Sequence, residues 1–208
     1  MSRTEVFYHG GCRLFDHFVL NHLGEGEGDN KFGKGIYITS SYKTAALYAS
    51  KAAKRNNIDT YYVYTVEVPV LTENNHLYSN GAVNKDIVDR VEKQLGEAIP
   101  DEVKAIGKHF RKYVGNLLDH KQNSPDKKRK NLKQMTGKAT SNVELLATAF
   151  FRNLGLTFYV WPQAQTKPDG ITNRVVLNTK DIKILKIEQV ECDKDNHLIE
   201  GSEIEIKL

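Results

Sequence analysis

Residues 33–49 read GKGIYITSSYKTAALYA, a short apolar run followed at once by an alanine-rich one. Gly35-Ile36-Tyr37-Ile38-Thr39 predicts a strand, Ser40-Ser41 a turn, and the remainder a helix whose first turns carry Tyr42 and Tyr48. The serines suit the junction, because a Ser oxygen accepts from the free N–H groups of a first helical turn. A strand that delivers one tyrosine and a helix that delivers another can build a slot with two aromatic walls. Such a slot suits a flat cationic ring.

Upstream, Phe7-Tyr8-His9-Gly10-Gly11 reads as a strand end followed by glycines that let a ligand approach the backbone closely. The strand is expected over 5–9, with a short helix from Arg13 to Leu23 on the spacing of Leu14, Phe15, Phe18, Val19 and Leu23. The loop Gly24–Asn30 has three alternating glycines, but the spacing is wrong for a dinucleotide fingerprint, which excludes a Rossmann domain. Tyr61–Val70 alternates as a half-buried strand.

Residues 84–95 predict a helix capped by Asn84 and ended by Gly96. Pro100 opens a second helix expected to run to about Leu118. Residues 119–140 read as a mobile basic loop, and Ser141 with Glu144 as the capping box of a helix over 143–151. Strands are expected at 157–161, 174–177, 182–190 and 198–208. The pattern is α+β: a single domain over 1–208 with a helical, basic insertion between about 72 and 140.

A chain of 208 residues can bury a sizeable core, and 39% hydrophobic with 27% charged residues is ordinary for a globular protein. With no apolar run long enough to span a bilayer and no apolar signal core, a cytoplasmic location without membrane association is expected. Cys12 and Cys192 announce neither a disulfide framework nor a zinc site, so no metal is expected. Charge is uneven. Lys104 to Lys133 holds ten Lys/Arg against two Asp, a net of +8, whereas the whole chain is +4. Clustered cations of this kind release counterions from nucleic acid, which makes Lys127, Lys128, Arg129 and Lys130 candidate acceptor-binding residues. His109, Phe110, Arg111, Tyr113 and His120 interleave aromatics with charge, a pattern open to base stacking.

These motifs together resemble the ADP-ribosyltransferases, in particular the diphtheria-toxin-like and poly(ADP-ribose)-polymerase-like branch with its His-Tyr-Glu triad. His9-Gly10 fits the His-Gly motif, Gly35-Ile36-Tyr37 the Gly-Ile-Tyr motif, and Tyr48 the tyrosine that closes over nicotinamide. Thr172–Asn178 followed by Ile182 resembles the strand of the third triad position, so the likeness spans roughly 5–70 and 142–187. The resemblance implies a split antiparallel sandwich that consumes NAD+ as a substrate. Catalytic roles would fall to His9, Tyr37 and Asn173, and NAD+ binding to His9, Gly10, Gly11, Arg13, Gly35, Tyr37, Ser40 and Tyr48. Lys34 is a further candidate for the pyrophosphate.

Where the family has a glutamate, this chain has Asn173, which bonds a ribose hydroxyl but takes no proton at neutral pH. Three readings stay open. The acceptor or another carboxylate supplies the base of a mono-ADP-ribosyltransferase; or the alignment is shifted, with Asp169 or Glu188 in that role; or NAD+ is bound without turnover. The loop with Gln163, Gln165, Lys167 and Asp169 precedes the third strand, where the family contacts its acceptor. RNA is favoured as acceptor over DNA or protein. Likeness to bacterial and phage-related toxins implies an intracellular toxin with an antitoxin partner. An RNA 2′-phosphotransferase and a non-catalytic NAD- or RNA-binding module are the alternatives.

Overall fold

A computed structural model describes residues 3–19, 32–162 and 170–207. In chain order the elements are β1 (Thr4–Gly11), β2 (Ile36–Thr39), α1 (Tyr42–Asn56), β3 (Tyr62–Pro69), β4 (His76–Tyr78), α2 (Lys85–Leu95) and α3 (Asp101–Lys104). There follow α4 (Gly107–Asn123), α5 (Leu132–Thr136), α6 (Ser141–Asn153), β5 (Phe158–Pro162), β6 (Thr172–Val176), β7 (Lys183–Gln189) and β8 (Ile204–Glu205). The chain is therefore α+β. It divides into two compact units, one of residues 1–29, 36–70 and 162–208, the other of 30–35 and 71–161.

In the first unit the strands lie in the order β6-β2-β1-β3-β7-β8, each antiparallel to its neighbour. The helix α1 lies against β1 and β3, burying Ala45, Ala46, Ala49, Ala52 and Ala53. Small side chains let the helix backbone come close, and Gly10 completes the fit: a Cβ there would sit 1.9 Å from the Ala45 carbonyl oxygen. Ser41 caps α1 by accepting the Thr44 N–H at 3.2 Å, and Asn57 ends it in the left-handed region at φ 53°. The apolar cluster between helix and sheet holds Ala45, Ala46, Val63 and Val190, with Tyr8, Tyr42 and Cys192 packed on it.

No helix forms over residues 13–19, contrary to the spacing of their apolar side chains. The cause is Tyr64 on β3, whose hydroxyl accepts the Phe15 N–H (3.0 Å) and donates to the Arg13 carbonyl (2.8 Å). Phe15 stacks on the Tyr64 ring at 4.3 Å. Backbone groups that a helix would use internally are thus taken by a side chain. Residues 20–23 of the expected helix lie outside the described residues.

The second unit contains the parallel pair β4–β5 and helices α2 to α6. Helix α2 has the expected Asn84 cap and Gly96 stop. The helix expected from Pro100 to Leu118 is broken, because Ile106 is extended and Gly107 restarts it. Gly107 abuts β4, where a Cβ would lie 2.3 Å from the Tyr78 carbonyl oxygen. Its N–H donates to the Gly81 carbonyl at 2.9 Å. Residues 119–140 are not one loop: α4 continues to Asn123, and α5 forms on a capping box between Asn131 and Gln134. Thr140, not Ser141, caps α6, because Glu144 is turned inward to Arg111. The final strand is confined to Ile204–Glu205, with a single bridge from Cys192 to Leu198 before it.

Candidate functional site

Strand β1 pairs with β3 at all eight of its positions but with β2 at one, Tyr8 to Thr39. Beyond Tyr8 the two strands part. The imidazole of His9 reaches across, and its Nδ1–H donates to the Tyr37 carbonyl at 2.8 Å. That bond fixes the tautomer and leaves Nε2 as an acceptor without a protein partner among the described residues. Burial lowers the pKa of His9, and the Tyr37 carbonyl offsets this only in part, so the ring is neutral at pH 7. Phe18 meets its edge at 5.1 Å and Tyr64 lies 5.8 Å away.

A cavity of about 550 Å³ opens at this end of β1, within the ordinary size of a small-molecule site. Its walls are His9, Gly10, Gly11, Cys12 and Arg13, then Leu14, Phe15, His17, Phe18 and Val19, with Ile36 from β2 and Ala52 from α1. Leu14 and Val19 remain 42% and 38% exposed, so apolar surface faces solvent at its mouth. Gly11 stands beside His9, where a Cβ would lie 3.3 Å from Nε2. The lining is mostly apolar with a few polar groups converging on it, the usual composition of a small-molecule site.

His9, Gly10, Gly11 and Arg13 are therefore brought together. Tyr37, Tyr48 and Asn173 are not among the lining residues, although Ile36 precedes Tyr37 and Ala52 lies one turn beyond Tyr48 on α1. Tyr37 and Tyr48 are half-buried, and Asn173 is 2% exposed on β6, opposite Thr39. Gly35 is buried. Ser40 is committed elsewhere: its N–H donates to the Thr172 carbonyl at 2.9 Å, and its Oγ accepts the Thr172 N–H at 3.0 Å. Lys34 is buried in the second unit, where its carbonyl accepts from the Thr148 hydroxyl at 2.8 Å.

Glu188 has both oxygens engaged, by the Tyr42 hydroxyl at 3.2 Å and the Lys186 ammonium at 2.7 Å. Burial and the Glu188 carboxylate push the Tyr42 phenol far above its usual range. Gln163, Gln165, Lys167 and Asp169 lie outside the described residues. Trp161 is 8% exposed and stacks on Phe32 at 4.1 Å, in the core of the second unit.

Of the basic tetrad, Lys127 and Lys128 are exposed, Arg129 pairs with Glu97 at 2.9 Å, and Lys130 donates to Asn116 Oδ1 at 3.4 Å. Phe110 and Tyr113 are buried, so neither offers a face to a base. Sequence reasoning missed Phe15 and Phe18, whose apolar spacing was read as helix and which instead line the cavity, and it gave Tyr64 no role beyond the strand, although its hydroxyl holds the 13–15 backbone.

No group of three or more His, Cys, Asp or Glu side chains able to hold a metal occurs among the described residues. Nor, among them, is any helix long and apolar enough to cross a membrane. Compared with protein-family models, with curated proteins and with solved structures, the chain finds no match.

Proposed function

We propose that the chain is a mono-ADP-ribosyltransferase that consumes NAD+ and modifies a macromolecular acceptor, with RNA favoured over DNA and protein. In the reaction, the bond between the nicotinamide nitrogen and ribose C1 breaks, and nicotinamide leaves with the electron pair. An acceptor nucleophile then bonds to C1 and gives up its proton. The observation that carries this reading is the opening of β1 from β2 beyond Tyr8, held by the His9–Tyr37 bond, with the cavity at its mouth. Two further features support it. The strands bearing the three motifs, β1, β2 and β6, are adjacent. The neutral His9 presents an acceptor nitrogen suited to a ribose hydroxyl.

On this reading the fold is the split antiparallel sandwich of the ADP-ribosyltransferases. Catalysis lies in holding the ring and stabilising the cationic ribose, not in a strong base. A cytoplasmic toxin restrained by an antitoxin is the biological setting that the resemblance implies. One observation favours the binding-only alternative: Asn173 is sealed from solvent and titrates no proton.

Nicotinamide release from NAD+, measured with and without total RNA, tests the proposal. Wild type releases it, whereas folded His9→Ala and Tyr37→Ala variants do not. Absence of release with RNA, DNA and lysate protein alike would leave only the binding module.

A further inference from the structure

The ten cations between Lys104 and Lys133 are not equivalent once folded. Lys104 is paired with Glu92 and Asp101, Arg111 with Glu144, and Lys121 and Arg129 share Glu97. Lys108, Lys112, Lys127, Lys128, Lys130 and Lys133 form no ion pair with a carboxylate among the described residues. Of these, Lys108, Lys112 and Lys130 form a row. Lys108 and Lys112 are four apart on α4, hence on one face and about 6 Å apart along the axis. Four residues further on, Asn116 holds the Lys130 ammonium at 3.4 Å. The Asn116 amide is itself fixed, donating to the Lys112 and Met135 carbonyls at 3.0 Å each.

We propose that this row on α4 is a phosphate-binding track for one strand of nucleic acid, with Lys108, Lys112 and Lys130 each meeting a successive phosphate. Turn-to-turn spacing along a helix is close to the separation of neighbouring phosphates on a single strand, and carboxylates that would neutralise the row are spent on other cations. Lys112 is half-buried beside Arg111 and Lys108; burial and those like charges lower its pKa, and the Glu144 carboxylate, itself paired with Arg111, offsets this only in part. Lys108 and Lys112 act on His109 in the same direction, after burial. A solvated lysine face relaxes such repulsion by turning outward. Here a bound anion would relieve it. The track replaces the Lys127–Lys130 arm as acceptor surface and keeps only Lys130 from it. It rests on the acceptor part of the proposed function and not on NAD+ cleavage.

The test is binding of a single-stranded RNA oligonucleotide without NAD+, titrated over a range of salt. The combined Lys108→Gln, Lys112→Gln, Lys130→Gln variant should keep the wild-type melting curve. Its affinity should fall roughly tenfold or more near 0.1 M salt, and its salt slope by about 2, from ~0.7 per phosphate lost. A Lys127→Gln, Lys128→Gln variant should change either value far less. Equal loss in both variants, absence of RNA binding by wild type, or equally tight binding of a polyglutamate peptide would overturn the proposal. Since NAD+ is absent, failure of the transferase reading would leave this result unaffected.

Discussion

His9 Nδ1 donates to the Tyr37 carbonyl at 2.8 Å, at the place where β1 and β2 stop pairing. A side chain thus substitutes for a missing ladder contact and keeps the two strands parted around a cavity. The bond selects the tautomer, and burial keeps the ring neutral, because it disfavours the charged form more than one carbonyl favours it.

That depression has a sign. The unfolded ring titrates near 6.5 and the folded ring lower, so unfolded chains bind more protons between those values. The contribution of His9 is full above pH 6.5 and is lost as pH falls toward the folded pKa. Urea titrations of wild type and His9→Gln at several pH values should show their stability difference shrinking on acidification from pH 7.5 to 5. A difference constant with pH would contradict the assignment.

Gly10 and Gly11 should behave oppositely. A methyl at Gly10 meets the backbone of α1, 1.9 Å from Ala45 O and 2.9 Å from Ala49 N. Gly10→Ala should therefore cost about 3 kcal/mol or more by chemical denaturation, since neither neighbour can rotate away. Gly11→Ala meets only the His9 ring, at 3.3 Å, and should cost less than about 1 kcal/mol while narrowing the cavity.

Tyr64→Phe keeps the ring stacked on Phe15 and removes both hydrogen bonds to the 13–15 backbone. A loss of about 1–3 kcal/mol is expected. Amide exchange should rise at Phe15, reporting release of the cavity wall. Unchanged protection at Phe15 would show that the hydroxyl does not hold this segment.

In the second unit, Arg111 and Glu144 are 3% and 6% exposed with Nη1 and Oε2 3.2 Å apart. Glu144→Ala should destabilise by about 3–5 kcal/mol, because it removes the carboxylate that faces a buried guanidinium. Arg111→Met with Glu144→Leu should be much milder. Denaturant midpoints of the single and double variants check this.

Where order was local, the sequence was legible. Alanines and a serine cap announce α1, Asn84 and Gly96 bracket α2, and alternation marks β3. What failed depended on partners distant in sequence. Residues 13–19 have helical spacing, yet a tyrosine 51 positions beyond Arg13 takes the Arg13 carbonyl. The Pro100 helix breaks because Gly107 must fit against Tyr78. By contrast, α5 was readable from Asn131 and Gln134 but was submerged in a basic stretch. At the site, the glycine pair and histidine were legible as a motif. The aromatic wall was not, since the same side chains fit a helix equally well.

Calorimetric titration of NAD+ into folded wild type and Gly11→Ala tests most directly whether the cavity beside His9 holds the dinucleotide. Wild type should bind it, with Gly11→Ala weaker by roughly tenfold or more, the range expected when a site no longer admits its ligand cleanly. No binding by wild type, or equal affinity in the two proteins, would contradict the account.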